Sequence, residues 1–113
     1  MKLREDADNI IKASLQAVLP DEAVARALAG KEFGGRVYMV AAGKAAWQMA
    51  HVAAKILDEK LTAGVVVTKY DHVKGEIPKT VCYEAGHPVP DENSFRATQA
   101  ALDLVSGLSK EDT

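Results

Sequence analysis

The sequence predicts an α/β protein: a Rossmann-like, three-layer parallel sheet with helices on both faces, left incomplete, as a piece of a larger domain or one that a partner completes. Three observations carry this. Val37-Tyr38-Met39-Val40-Ala41-Ala42 is an apolar run with no alternation, the pattern of a strand buried on both faces. Gly64-Val65-Val66-Val67-Thr68 repeats that pattern. Between them, about Lys44 to Lys60, lies an alanine-rich stretch of helical character, long enough to return the chain for a parallel partner.

Residues 1–35 read as a helical segment and residues 36–113 as the first βαβ-β-α part of the sheet domain. Leu3, Ala7, Ile10, Ile11, Ser14, Leu15 and Val18 fall on one face of a first helix. Pro20 stops it, because the residue before a proline is pushed out of the α region. Asp21 reads as the cap of a short second helix to about Leu28, with Gly30 and Gly34-Gly35 as breakers. In the crossover helix, Ala45, Met49, Val52, Ala53 and Ile56 form the predicted apolar stripe; Lys44, Gln48, His51 and Lys55 form the wet one. A polar loop, Asp71 to Lys79, leads to a third strand, Thr80 to Ala85. Gly86-His87-Pro88-Val89-Pro90 is turn-like, and Asp91-Glu92 places negative charge at the start of a last helix. Phe95, Thr98, Leu102, Val105 and Leu108 are its predicted inner face. The charged tail after it has no strand to return to, and a three-strand parallel sheet leaves its edges open.

Composition narrows the function classes. With 48% hydrophobic and 27% charged residues, the 113-residue chain can build one core and does not read as disordered. Its formal charge of −2 argues against general nucleic-acid binding, which needs a basic face. No apolar run approaches the roughly 20 residues of a membrane span. The N-terminus, acidic and amphipathic, does not read as a signal peptide. The single cysteine, Cys82, permits no internal disulfide and reads as an inert buried thiol, and three scattered histidines make no zinc pattern. A cytoplasmic, reducing setting follows.

In open α/β sheets, ligands bind beyond the carboxyl ends of the strands. Those ends are Gly43-Lys44, Lys69-Tyr70-Asp71-His72 and Gly86-His87. Parallel strands bring Lys44, Lys69, His72 and His87 to one edge, which is cationic and suits a small anion. Lys44 starts a helix, where the dipole disfavours a cation unless an anion is held there. The other reading is that it opens the solvated stripe. The segment lacks the first glycine and the hydroxyl of a phosphate-binding P-loop, and it has no G-x-G-x-x-G. His87 is either ligand-facing or a cap on local backbone. Tyr70 and His72 read as loop surface, His51 as exposed, Trp47 as core or the lip of a cleft, and Gly43 as a turn residue.

Val40-Ala41-Ala42-Gly43-Lys44-Ala45-Ala46, then Gly64 to His72, and above all Glu84-Ala85-Gly86-His87-Pro88-Val89-Pro90-Asp91-Glu92 resemble the N-terminal part of the glycerate 2-kinases with a MOFRL C-terminal domain, often labelled hydroxypyruvate reductases. The resemblance implies ATP-dependent phosphorylation of D-glycerate to 2-phosphoglycerate with Mg2+, in a cleft between two domains. It puts the active-site lysine on Lys44 and the family's histidine–proline loop on His87. The resulting candidate set is Lys44 as catalytic group, His87, Lys69 and His72 as substrate contacts, and Gly43 as a cofactor contact. Ala42 and Asp71 stand where the family commonly has glycine. Family chains are several-fold longer, so the chain alone is expected to be inactive. Expected partners are glycerate and a nucleotide, with no nucleic acid, no membrane and a possible homo-oligomer. The competing readings are a hydroxypyruvate-reducing oxidoreductase and a non-catalytic α/β assembly module.

Overall fold

The computed structural model describes residues 2–113. Helix α1 (Leu3–Val18) ends at Leu19, whose extended backbone satisfies the following proline, and Pro20 becomes the first residue of α2 (Pro20–Leu28). The helix start expected at Asp21 thus lies one residue earlier, since the fixed φ of proline suits a first helical position. Strand β1 (Val37–Ala42), helix α3 (Ala46–Leu57), a 3-10 turn (Asp58–Lys60), strand β2 (Leu61–Lys69), strand β3 (Thr80–Ala85) and helix α4 (Glu92–Leu104) complete the order.

The sheet is parallel with order β1-β2-β3. Its register sets Ala42 against Val67 and Lys69 against Ala85, so the three carboxyl ends finish nearly flush. On one face Val66, at 0% exposure, packs with Ala46, Ala50, Ala54 and Leu57 of α3. Ile77, from the loop read as polar, inserts into the same cluster. On the other face Val65 is buried, whereas its register neighbours Val40 and Val81 are 47% and 55% exposed. The α4 layer therefore covers the central strand and leaves its flanks open.

Three expectations need correction. The inward row of α3 is Ala46-Ala50-Ala54-Leu57, not the stripe containing Met49 and Ile56, which are 44% and 43% exposed. Likewise α4 buries Ala97, while Phe95 and Leu102 are 69% and 57% exposed. Both follow from size: an alanine row lets helix backbone lie close on the sheet, and larger side chains project from its flanks. Helix α1 buries no residue, so its apolar face has no partner here. Lastly, the tail does return. Thr113 accepts from Tyr38 N–H (2.7 Å) and donates to the Arg36 carbonyl (2.9 Å), a parallel bridge on the free side of β1. Arg36 clamps Asp112 through Nη2 (2.9 Å) and Nε (3.3 Å), holding that carboxyl far below the usual range.

Candidate functional site

The end of β1 is fixed by a residue with no side chain. Gly43 adopts φ of +124°, a conformation open to glycine alone, and its N–H donates to the Val67 carbonyl at 3.0 Å. This turns the chain sharply into Lys44 while keeping it on β2. Thr68 Oγ1 then donates to the Lys44 carbonyl at 3.4 Å. Helix α3 begins at Ala46, so Lys44 lies in the turn before the helix and not in its first turn as expected. The helix has no side-chain cap and no acidic residue in its first turn, so its positive end meets Lys44 uncompensated.

The second and third strand ends complete a small open cavity of about 150 Å³. Gly43 and Lys44 line one side, Thr68 and Lys69 the floor, and Gly86 and His87 the third side. Ser94 reaches it from the first turn of α4. No carboxylate lines it, and among the described residues the ion pairs use Arg4, Arg26, Arg36 and Lys110, not Lys44 or Lys69. Two unpaired ammonium groups and an uncapped helix start make the cavity electropositive, while both lining hydroxyls already donate within the protein, Thr68 to the Lys44 carbonyl and Ser94 to Asp91 Oδ1. Drug-sized ligands occupy roughly 300–1,000 Å³, so this space suits a carboxylate or a single phosphoryl group.

Of the candidates read from the sequence, Gly43, Lys44, Lys69 and His87 therefore meet at one cavity. His72 is not among its lining. Glu84 Oε2 accepts from the backbone N–H groups of His72 and Val73, each at 3.1 Å, and the His72 ring Nδ1 lies 3.1 Å from the Tyr70 carbonyl. Asp71, where glycine is common in the resembling family, has φ of +66°, a left-handed position that aspartate tolerates better than most residues. Trp47 is half-buried, donates to the Gly75 carbonyl at 3.0 Å and stacks on His51 with centroids 4.7 Å apart. It belongs to the wall under the 71–79 loop. Cys82 is half-buried, and burial pushes its thiol pKa up, which keeps it protonated.

Sequence reasoning missed Thr68 and Ser94. A hydroxyl closing an otherwise aliphatic strand was the available signal for Thr68, which is 3% exposed. Ser94 was hidden behind its role in capping. Its hydroxyl accepts from Asp91 N–H (3.0 Å), and its own N–H donates to Asp91 Oδ1 (3.2 Å), a reciprocal capping box.

Among the described residues no helix is long and apolar enough to cross a membrane and no cluster of metal-ligating side chains occurs. Residues 6–113 match the family described as "Domain of unknown function (DUF4147)". The chain is 49% identical over 111 residues to a D-glycerate 2-kinase of Thermotoga maritima, covering 98% of this chain and 26% of that protein. It is 37% identical over 123 residues to a glycerate 2-kinase of Pyrococcus horikoshii, covering 99% of this chain and 27% of that protein. The crystal structure of a glycerate kinase from Thermotoga maritima superposes with a TM-score of 0.90 at 47% identity, over 98% of this chain and 27% of the other. The chain thus spans about a quarter of the length of the curated relatives it matches.

Proposed function

Because this chain belongs to the DUF4147 family, we propose that it forms the N-terminal part of a glycerate 2-kinase and contributes one wall of that enzyme's active site. The observation that carries the reading is the convergence of Lys44, Lys69 and His87 on a carboxylate-free cavity at the strand ends. Glycerate carries a carboxylate, and phosphoryl transfer spreads negative charge over the transferred group; both call for fixed cations in a partly dry site. In this reading Lys44 neutralises charge on the reacting group, and Lys69 and His87 hold and orient the acid. Thr68 steadies Lys44 by fixing its carbonyl.

ATP and Mg2+ belong to the same reading, but the residues present do not fit them. The cavity is too small for a nucleotide, and no carboxylate in its lining offers a divalent cation a hard oxygen ligand. Their binding groups are assigned to the rest of the kinase, and no step is routed through them here. Transfer by this chain alone is not expected, since positioning the donor is most of the chemistry. A cytoplasmic setting accompanies the proposal.

The test is Lys44→Ala in the full-length protein, followed by ATP-dependent formation of 2-phosphoglycerate. Turnover should fall by about two to four orders of magnitude with the melting temperature nearly unchanged, because an exposed ammonium contributes little to folding. Near-normal turnover would overturn the role of Lys44. NADH consumption with hydroxypyruvate, and no phosphorylation of glycerate by the unaltered protein, would overturn the kinase reading.

A further inference from the structure

The turn that carries His87 has no hydrophobic anchor. His87, Pro88, Val89 and Pro90 are all exposed, Val89 at 75%. Pro88 and Pro90 restrict its backbone, and with no buried apolar contact the placement of the turn on the fold falls to polar ties. Here those ties converge on the Asp91 carboxylate. Oδ1 accepts from Ser94 N–H and its hydroxyl, at 3.2 and 3.3 Å, which fixes the far end of the turn to α4. Oδ2 accepts the phenolic O–H of Tyr70 at 2.5 Å. The Gly86 N–H, at the near end of the turn, also favours the ionised form of the same carboxylate. Gly86 is required there: a Cβ would collide with the Val89 carbonyl and come within 3.0 Å of Asp91 Oδ2.

Tyr70 is the one member of this set outside the β3–α4 segment, the first residue after β2. It directly follows Lys69, whose side chain lines the cavity, and its hydroxyl also accepts from Asn93 Nδ2 at 2.9 Å. With that acceptor site filled, its proton is committed to Asp91. Its ring is 45% exposed, so core filling does not account for it. We propose that Tyr70 and Asp91 are positioning residues: their hydrogen bond ties the end of β2 to the β3–α4 turn and sets where the His87 imidazole stands relative to Lys69. The inference rests on the proposed reading only for what His87 binds. The raised pKa of Tyr70 and the lowered pKa of Asp91, each caused first by this shared bond, agree with it.

The experiment uses the full-length protein with Tyr70→Phe, which keeps the ring and removes only the hydroxyl. Hydrogen exchange of the amides in 86–91 should quicken about tenfold, as expected for losing one hydrogen bond to a charged group, with the melting temperature essentially unchanged. The KM for glycerate should rise by a similar factor while the KM for ATP stays put. In a His87→Ala background Tyr70→Phe should add almost nothing, because a residue acting through His87 has nothing left to position. Unchanged exchange, or additive effects of the two substitutions, overturns the proposal. If the unaltered protein does not phosphorylate glycerate, the kinase reading fails, and the exchange measurement still decides whether Tyr70 holds the turn.

Discussion

Helices α3 and α4 both open onto the cavity, and they begin in opposite ways. At α4, Asp91 and Ser94 exchange hydrogen bonds in a full capping box, and Glu92 adds negative charge to the first turn. At α3 the capping position is Ala45, with no side-chain cap, no acidic residue in the first turn, and Lys44 just ahead of it. Helix starts with free N–H groups satisfy them with side chains, water or ligands. The chain thus neutralises one positive end internally and leaves the other available beside a cation. A capped start serves stability, and an uncapped start beside a cation is what the role proposed for the β1–α3 turn requires.

The largest effect expected on this contrast comes from removing the cap that exists. Asp91→Ala deletes the acceptor for Tyr70 and Ser94 together, and should lower the melting temperature by about 5 °C, the scale of a lost N-cap in a domain of this size. Loss of protection should concentrate in 86–95 and spare 43–50. Equal loosening at both helix starts would refute the idea that the two ends are held independently.

The opposite substitution sharpens the comparison. Ala45→Asp supplies the negative charge that α3 lacks. Ala45 has φ −94° and ψ 5°, not the extended geometry of a capping residue, so the gain is the dipole interaction alone, about 0.3–1 kcal/mol. Stability should rise while kcat/KM of the full-length protein for glycerate falls about tenfold, since a fixed carboxylate would compete with the anion for Lys44. A stabilised variant with unaltered kcat/KM would show that the α3 start is not part of the site.

How much of this was legible in the sequence depends on what each residue reports. Two-faced strands announce themselves: Val65 and Val66 are both buried because helices lie on both sides of β2, and no alternation is needed to see it. The strand ends, and hence the meeting of Gly43, Lys44, Lys69 and His87, follow from parallel topology. Helix faces were less legible. In α3 and α4 the large apolar residues drew the eye, but Ala50 and Ala97, at 1% and 0% exposure, touch the sheet. Amphipathicity marks a face without naming what it meets, and α1, with Ile10 and Leu15 more than 60% exposed, shows the same limit from the other side. Tyr70 and Asp91 were invisible as a pair because their bond spans 21 positions. Each alone reads as an ordinary loop or capping residue.

The smallest effect is the most selective, because it uses acid and no substitution. Asp91 has a carboxyl pKa held below its ordinary value, first by the Tyr70 hydroxyl and then by the Gly86 N–H. A group whose folded pKa is depressed contributes stability that is fully present above the unfolded value, roughly 3.9, and is lost as pH falls through the folded one. The α4 start should therefore keep its protection through the ordinary carboxyl range and lose it only as pH falls through the depressed folded value, where protonation of Asp91 weakens the acceptor. The α3 start has no carboxylate of its own in its first turn, and Asp21, which does reach it, accepts from the Gln48 side chain and not from the backbone, so exchange at 46–49, corrected for its intrinsic pH dependence, should not follow that of α4. Asp91→Asn should abolish the difference in acid response between the two helix starts. If that difference persists in the variant, another acid holds α4, and the contrast between the two ends does not rest on Asp91.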